Sequence, residues 1–222
     1  HLVRSRGLGD VYKRLGFKRG ISCGVVFYHE DRDLSLAVHG DDFTFCALDE
    51  DLRWIRGLME SWFDIKLRGI LGMDDDDDKE VVILGRIVRW TESGIEYEAD
   101  PRQRALVLES LGFQEGTKVW GSNGDKEDKV EPGDDEELGR EEAKVFRGLA
   151  ARLNYLSLDR PDLQFPIKQC SREMASPTNG SLVRLKKVAR YLIDREAIVW
   201  RFPWQDLPTQ ADLYTDSDWG GD

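Results

Sequence analysis

Two carboxylates, Asp41 and Asp42, stand side by side in the run LSLAVHGDDFTFCAL (34–48), with apolar residues alternating on either side. Adjacent carboxylates repel one another unless water solvates both or a cation sits between them. In one reading, Gly40-Asp41 is an ordinary polar turn with both charges facing water. In the other, the pair ligates a divalent ion. Mg2+ takes hard oxygen donors, and carboxylates on a rigid tip can reach ions that bridge phosphates. Such a two-metal site holds its ions about 3.5–4 Å apart and needs a further carboxylate from another strand. The stretch before Cys23 is short and basic and offers no convincing one.

The elements that must position the pair are legible on both sides of it. Leu34, Leu36 and Val38 alternate with Ser35, Ala37 and His39, and Phe43 and Phe45 resume the alternation, which predicts a half-buried hairpin closed at Gly40-Asp41. CGVVFYH predicts a preceding strand. A helix follows from Asp49, with acidic residues in its first turn and Leu52, Ile55, Leu58, Met59 and Trp62 at helical spacing. FDIKL (63–67) and VVILGRIVRW (81–90) predict strands on either side of an acidic loop, and GIEYEAD a hairpin return. Pro101 opens a helix that Gly112 stops. Beyond a charge-rich linker, helices are expected over roughly 139–158, 161–175 and 180–194, then strands at AIVWRF and ADLYTD.

The chain of 222 residues can bury a real core, and no run approaches the ~20 apolar residues of a membrane span. Three scattered cysteines without a CxxC argue for a reducing compartment and against a zinc site, and three scattered histidines make no metal cluster. His29 and His39 read as strand-end or loop residues. The net charge of −11 resides in two stretches, 74–80 and 114–137, which read as solvated loops. Residues 138–203 instead carry 13 Lys/Arg against 7 Asp/Glu, compatible with a phosphate-backbone partner. The sequence begins at His1 and ends at DWGGD, and we read it as a piece of something longer.

Three stretches together carry a family resemblance. AVHGDDFTF resembles the metal-binding hairpin of reverse transcriptases. LNYLSLDRPDLQFPIKQCSREMASPTNGSLVRLKKVARYL (153–192) resembles the segment that follows the polymerase core in copia-type LTR retrotransposon Pol polyproteins. YTDSDWGGD (214–222) resembles the opening strand of their RNase H domain. The resemblance covers nearly the whole chain from about residue 12. It implies an α+β fold: a partial reverse-transcriptase palm of antiparallel strands with helices (1–113), an acidic linker (114–137), a helical thumb and connection (138–196) and the first RNase H-like strands (197–222).

The same resemblance implies RNA-directed DNA polymerase chemistry by two-Mg2+ (or Mn2+) nucleotidyl transfer, with RNA/DNA template–primer and dNTP as partners beside the remainder of the Pol polyprotein. Asp41 and Asp42 would be metal ligands, Asp41 the direct one. Lys66 would be the lysine that donates a proton to pyrophosphate; its alternative is an ordinary surface lysine. VILGRIV (82–88) matches the strand that grips the primer end, its alternative being a core strand with a bulge at Gly85. Arg152, Arg160, Lys168, Arg172, Lys186, Lys187 and Arg190 could contact the duplex backbone or form a solvated basic face. Arg160-Pro161-Asp162 reads more simply as a helix start.

Asp216 matches the first RNase H metal ligand, whose partners would lie downstream. His39 stands where the family has tyrosine, which bears on nucleotide discrimination. The first catalytic aspartate and the fingers would precede residue 1, so no polymerase activity is expected from this chain alone. The resemblance places such elements in cytoplasmic particles and the nucleus. Two alternatives stay open: a decayed copy that only binds nucleic acid, and an unrelated α/β scaffold in which GDD is a plain turn.

Overall fold

Leu34 and Leu36, two residues apart on one strand, both point inward and are 0% and 1% exposed, as a period of two on a half-buried sheet requires. In the computed structural model, which describes residues 15–114, 116–121 and 131–215, they belong to the first of two units, 1–68 and 69–222. Among the described residues the chain is α+β, with two four-stranded antiparallel sheets and five α-helices.

The first unit is a meander of β1 (Lys18–Arg19), β2 (Val26–His29), β3 (Leu34–His39) and β4 (Asp42–Cys46) beside helix α1 (Asp49–Trp62). Its core joins Phe17, Phe27, Leu34 and Leu36 to Ile55 and Met59 of α1, four residues apart on one helical face. The α1 N-cap, Leu48, offers no side-chain cap, and Asp49, Glu50 and Asp51 supply negative charge to the first turn instead. Asp51 also binds Arg32 at 2.6 Å. FDIKL forms no strand. Phe63 and Ile65 satisfy their apolar character by packing on this core, without a ladder partner.

The second unit holds β5 (Glu80–Ile83), β6 (Arg86–Thr91), β7 (Gly94–Glu98) and β8 (Val199–Pro203) in that order, with helices α2 (Pro101–Ser110), α3 (Arg140–Ser157), α4 (Pro161–Arg172) and α5 (Asn179–Tyr191). VVILGRIVRW, expected as one strand, is instead a hairpin. Ile83 pairs with Arg86, and Leu84 and Gly85 form the loop with φ of 50° and 85°, the two positive values of a type I′ turn. A branched residue pays roughly 1–2 kcal/mol for the left-handed conformation. The turn is held from outside, by Tyr155 Oη donating to the Leu84 carbonyl at 3.3 Å. A Cβ at Gly85 would stand 2.8 Å from Asp100 Oδ2, so this position has no room for a side chain. β7 forms as the expected return, and AIVWRF supplies β8, which hydrogen-bonds β7. No strand forms over 211–215; the end of ADLYTD lies outside the described residues.

The acidic loop is more organised than a solvated run. Asp77 Oδ2 accepts the Asp74 N–H at 3.1 Å, Asp78 Oδ2 accepts the Ile70 N–H at 3.0 Å, and Lys79 donates to the carbonyls of Gly72 and Asp74.

The helices of this unit share one core, built on Phe146, Leu149, Leu153 and Leu156 of α3, Leu163 and Ile167 of α4, and Leu185 and Val188 of α5. Thr178 and Ser181 form a reciprocal capping box at the start of α5. Pro161 is the first residue of α4 and Asp162 lies in its first turn, bearing out the helix-start reading. The sheet is tied to the α3–α4 junction through Asp159. Its carboxylate accepts from Arg86 Nε at 3.0 Å and Tyr97 Oη at 2.6 Å, and its carbonyl accepts from Trp200 Nε1 at 2.9 Å. Burial and the Asp159 hydrogen bond push the Tyr97 phenol up to about 12.

Asp100, 3% exposed, caps α2 by accepting the Arg102 N–H at 3.0 Å, and its carboxylate also takes Arg102 Nε, Arg102 Nη2 and Gln103 Nε2. The Arg102 hydrogen bond above all, opposed by burial, lowers its carboxyl from 3.8 to about 2. A carboxyl depressed in the folded state contributes stability that is complete above about pH 4 and lost as pH falls toward 2. Discounted for the exposed Arg102, the loss is about 1–2 kcal/mol. Urea melts at pH 7 and pH 2.5 should show a smaller acid-induced loss for Asp100→Asn than for the parent; equal losses would remove Asp100 from the acid response.

Candidate functional site

The β3–β4 hairpin puts the paired carboxylates at its tip. His39 pairs with Asp42, which leaves Gly40 and Asp41 as a two-residue loop. Gly40 has φ of 64° while Asp41 is not among the positive-φ residues, the pattern of a type II′ turn, whose first position favours glycine. The tight turn expected at Gly40-Asp41 is therefore present. Below it, Val38, Phe43 and Phe45 pack on the core that Leu34 and Leu36 anchor. The tip thus extends from two half-buried strands, and both carboxylates are exposed.

Arg68 reaches Asp42, its Nη2 3.7 Å from Oδ1, and both partners are largely exposed, so the pair adds little energy. Lys66 is exposed on the irregular segment that follows α1. Among the described residues no three His, Cys, Asp or Glu side chains gather closely enough to hold a metal ion. The donor chemistry of Asp41 and Asp42 nonetheless suits Mg2+, which is commonly bound by one or two carboxylates together with substrate phosphates. Asp216 lies outside the described residues.

The basic side chains of the second unit occupy three helices. Arg152 of α3 donates to Gln103 Oε1 of α2 at 2.8 Å. Lys168 and Arg172 are exposed four residues apart on α4, one helical turn, with Phe165, 63% exposed, three residues before Lys168. On α5, Lys186, Lys187 and Arg190 are half-buried rather than freely solvated. Lys187 Nζ lies 5.1 Å from the centre of the Trp120 ring, and Arg190 Cζ lies 5.5 Å from that of Phe113. Neither aromatic was anticipated as a partner of these cations. The available signal was two apolar rings at the edge of a highly charged stretch, where a solvated loop has no use for them. Arg160 faces inward, 1% exposed, and its guanidinium is spent on Asp162 and on the Arg195 and Glu196 carbonyls, which fits the structural reading.

Two curated relatives, both from Arabidopsis thaliana, match over 78 residues. One is the retrovirus-related Pol polyprotein from transposon RE2, at 35% identity, and the other that from transposon RE1, at 33%. This chain is similar to part of a retrotransposon Pol polyprotein. The matched stretch is 35% of this chain and 5% of each relative, so it spans a small fraction of their length. The similarity supports a Pol-derived fragment. No family model matches the chain, and no solved structure matches it. No described helix is long and apolar enough to cross a membrane.

Proposed function

We propose that the chain is a segment of a copia-type reverse transcriptase, in which the 34–46 hairpin belongs to the polymerase palm and the helical unit holds template–primer. The observation that carries this reading is the two-residue hairpin that presents Asp41 and Asp42 together, in a chain similar to Pol polyproteins. Asp41 and Asp42 would hold Mg2+ or Mn2+, which when bound supplies Lewis-acid stabilisation of dNTP phosphate charge. The β3–β4 ladder, half-buried at its base, would position the two carboxylates. Lys66 would serve as a proton donor to pyrophosphate. Arg152, Lys168, Arg172, Lys186, Lys187 and Arg190 would supply phosphate contacts. By itself the chain is expected to bind template–primer without extending it, because its hairpin offers two carboxylates and the site requires another.

A second reading, a plain polar turn, is favoured by Arg68 beside Asp42 and by a turn type that Gly40 alone explains. Fluorescence anisotropy with a labelled RNA–DNA primer duplex between 50 and 200 mM salt tests the binding part. Each phosphate contact should contribute about −0.9 to the slope of log K against log salt. Absent or salt-insensitive binding would refute the nucleic-acid role.

A further inference from the structure

The stretch between α2 and α3 is fastened to α5 near both of the helix's ends. Trp120 and Phe113 lie over Lys187 and Arg190 in the second half of α5, and the Trp120 N–H reaches the Arg190 carbonyl at 3.5 Å. At the beginning of the same helix, the Asn179 N–H donates to the Glu136 carbonyl at 3.0 Å and the Gly180 N–H to the Asp134 carbonyl at 3.0 Å. Asn179 Nδ2 adds a bond to the Gly133 carbonyl at 3.1 Å. The two attachments are chemically different: backbone carbonyls that accept from N–H groups at the helix N-terminus, and aromatic faces over cations further along.

We propose that Phe113 and Trp120 form a strap that masks Lys187 and Arg190, so that the strap and a nucleic-acid backbone compete for one face of α5. This rests on the template–primer reading above and adds its regulation. A cation seated on a ring is partly desolvated and has one face turned away from a phosphate oxygen. By sequence, residues 114–137 carry nine Asp/Glu against three Lys/Arg, the same sign of charge as a phosphate backbone. The strap therefore lowers affinity for any polyanion until a ligand with enough phosphates displaces it.

The test compares the full chain with Trp120→Ala, by anisotropy on a labelled RNA–DNA hybrid duplex across a salt series, with circular dichroism as the folding control. Trp120→Leu keeps apolar bulk while removing the ring face, and replaces the alanine variant if that one does not fold. The variant should bind about three- to tenfold tighter, with the salt slope steeper by about 0.9 for each cation released. Lys187→Gln in the Trp120→Ala background should return affinity to the parent value. Parent binding that is salt-dependent, with the variant equal or weaker, overturns the strap and leaves the template–primer reading standing; weaker binding would make Trp120 itself a base-stacking contact. If neither protein binds, both readings fall.

Discussion

On the proposed reading, Asp41→Asn in a longer form of the polyprotein should lower the rate of primer extension by about a hundredfold or more and leave template–primer affinity within about twofold. The substitution preserves shape and suits the turn, since Asn is as acceptable as Asp at such positions. Asp41 is exposed, lies outside the β3–β4 ladder, and packs into no core. Its replacement should therefore change stability by no more than about 0.5 kcal/mol. What it removes is one of two negative charges at the tip, and a hard cation tolerates that loss poorly. Asp42→Asn additionally removes the Arg68 contact, so Asp41 gives the cleaner experiment. Single-turnover extension on an RNA template with Mg2+ decides the matter. Equal rates for parent and Asp41→Asn would establish the plain-turn reading.

The largest stability effect is expected at Arg160. Its guanidinium makes a two-pronged contact with Asp162, at 3.0 and 2.7 Å, and three more bonds to the Arg195 and Glu196 carbonyls, at 3.2 to 3.3 Å. With its side chain 1% exposed, it is the largest fully buried side chain of the protein's described residues. Arg160→Ala removes every one of these donors and leaves the half-buried Asp162 carboxylate and both carbonyls without their partner. The cost should be about 3–5 kcal/mol. Arg160→Lys should recover only part of it, because a single ammonium cannot reproduce the planar fork. Urea denaturation measures both; a loss below about 1 kcal/mol for the alanine variant would mean that water replaces the guanidinium without penalty.

The parts of this fold that follow local rules were legible in the residues. Leu34 to Phe45 alternates strictly around a Gly-Asp pair, so the hairpin and the place of the carboxylates at its tip could be read directly. The three long helices appear within a few residues of where Leu and Val spacing put them, and Pro101 and Pro161 mark the starts of α2 and α4. The failures share one cause, local patterns whose meaning is settled by distant residues. Leu84 is a poor candidate for a type I′ turn, and what holds it there is Tyr155, 71 residues away. FDIKL alternates like a strand, yet a helix end and a nearby core absorb its apolar residues. The rings of Phe113 and Trp120 are meaningless without α5, which lies some 70 residues on. Of the site, the hairpin could be read and the cations of α5 could be named, but not the aromatic faces they rest on.

The position of β8 has a consequence for how the protein is made. β5, β6 and β7 are joined by two-residue turns and can pair as soon as they leave the ribosome, but the strand that completes their sheet begins at Val199, about a hundred residues after β7 ends at Glu98. During that interval the edge of β7 is open, and Asp159, which ties Arg86, Tyr97 and Trp200 together, has not yet been translated for most of it. Synthesis at about 5–20 residues per second leaves the edge unprotected for roughly five to twenty seconds. An open edge of this kind is a pairing site for other chains. The nascent protein is thus most prone to misassociate before β8 emerges, and a ribosome that stalls between residues 100 and 199 would prolong that exposure.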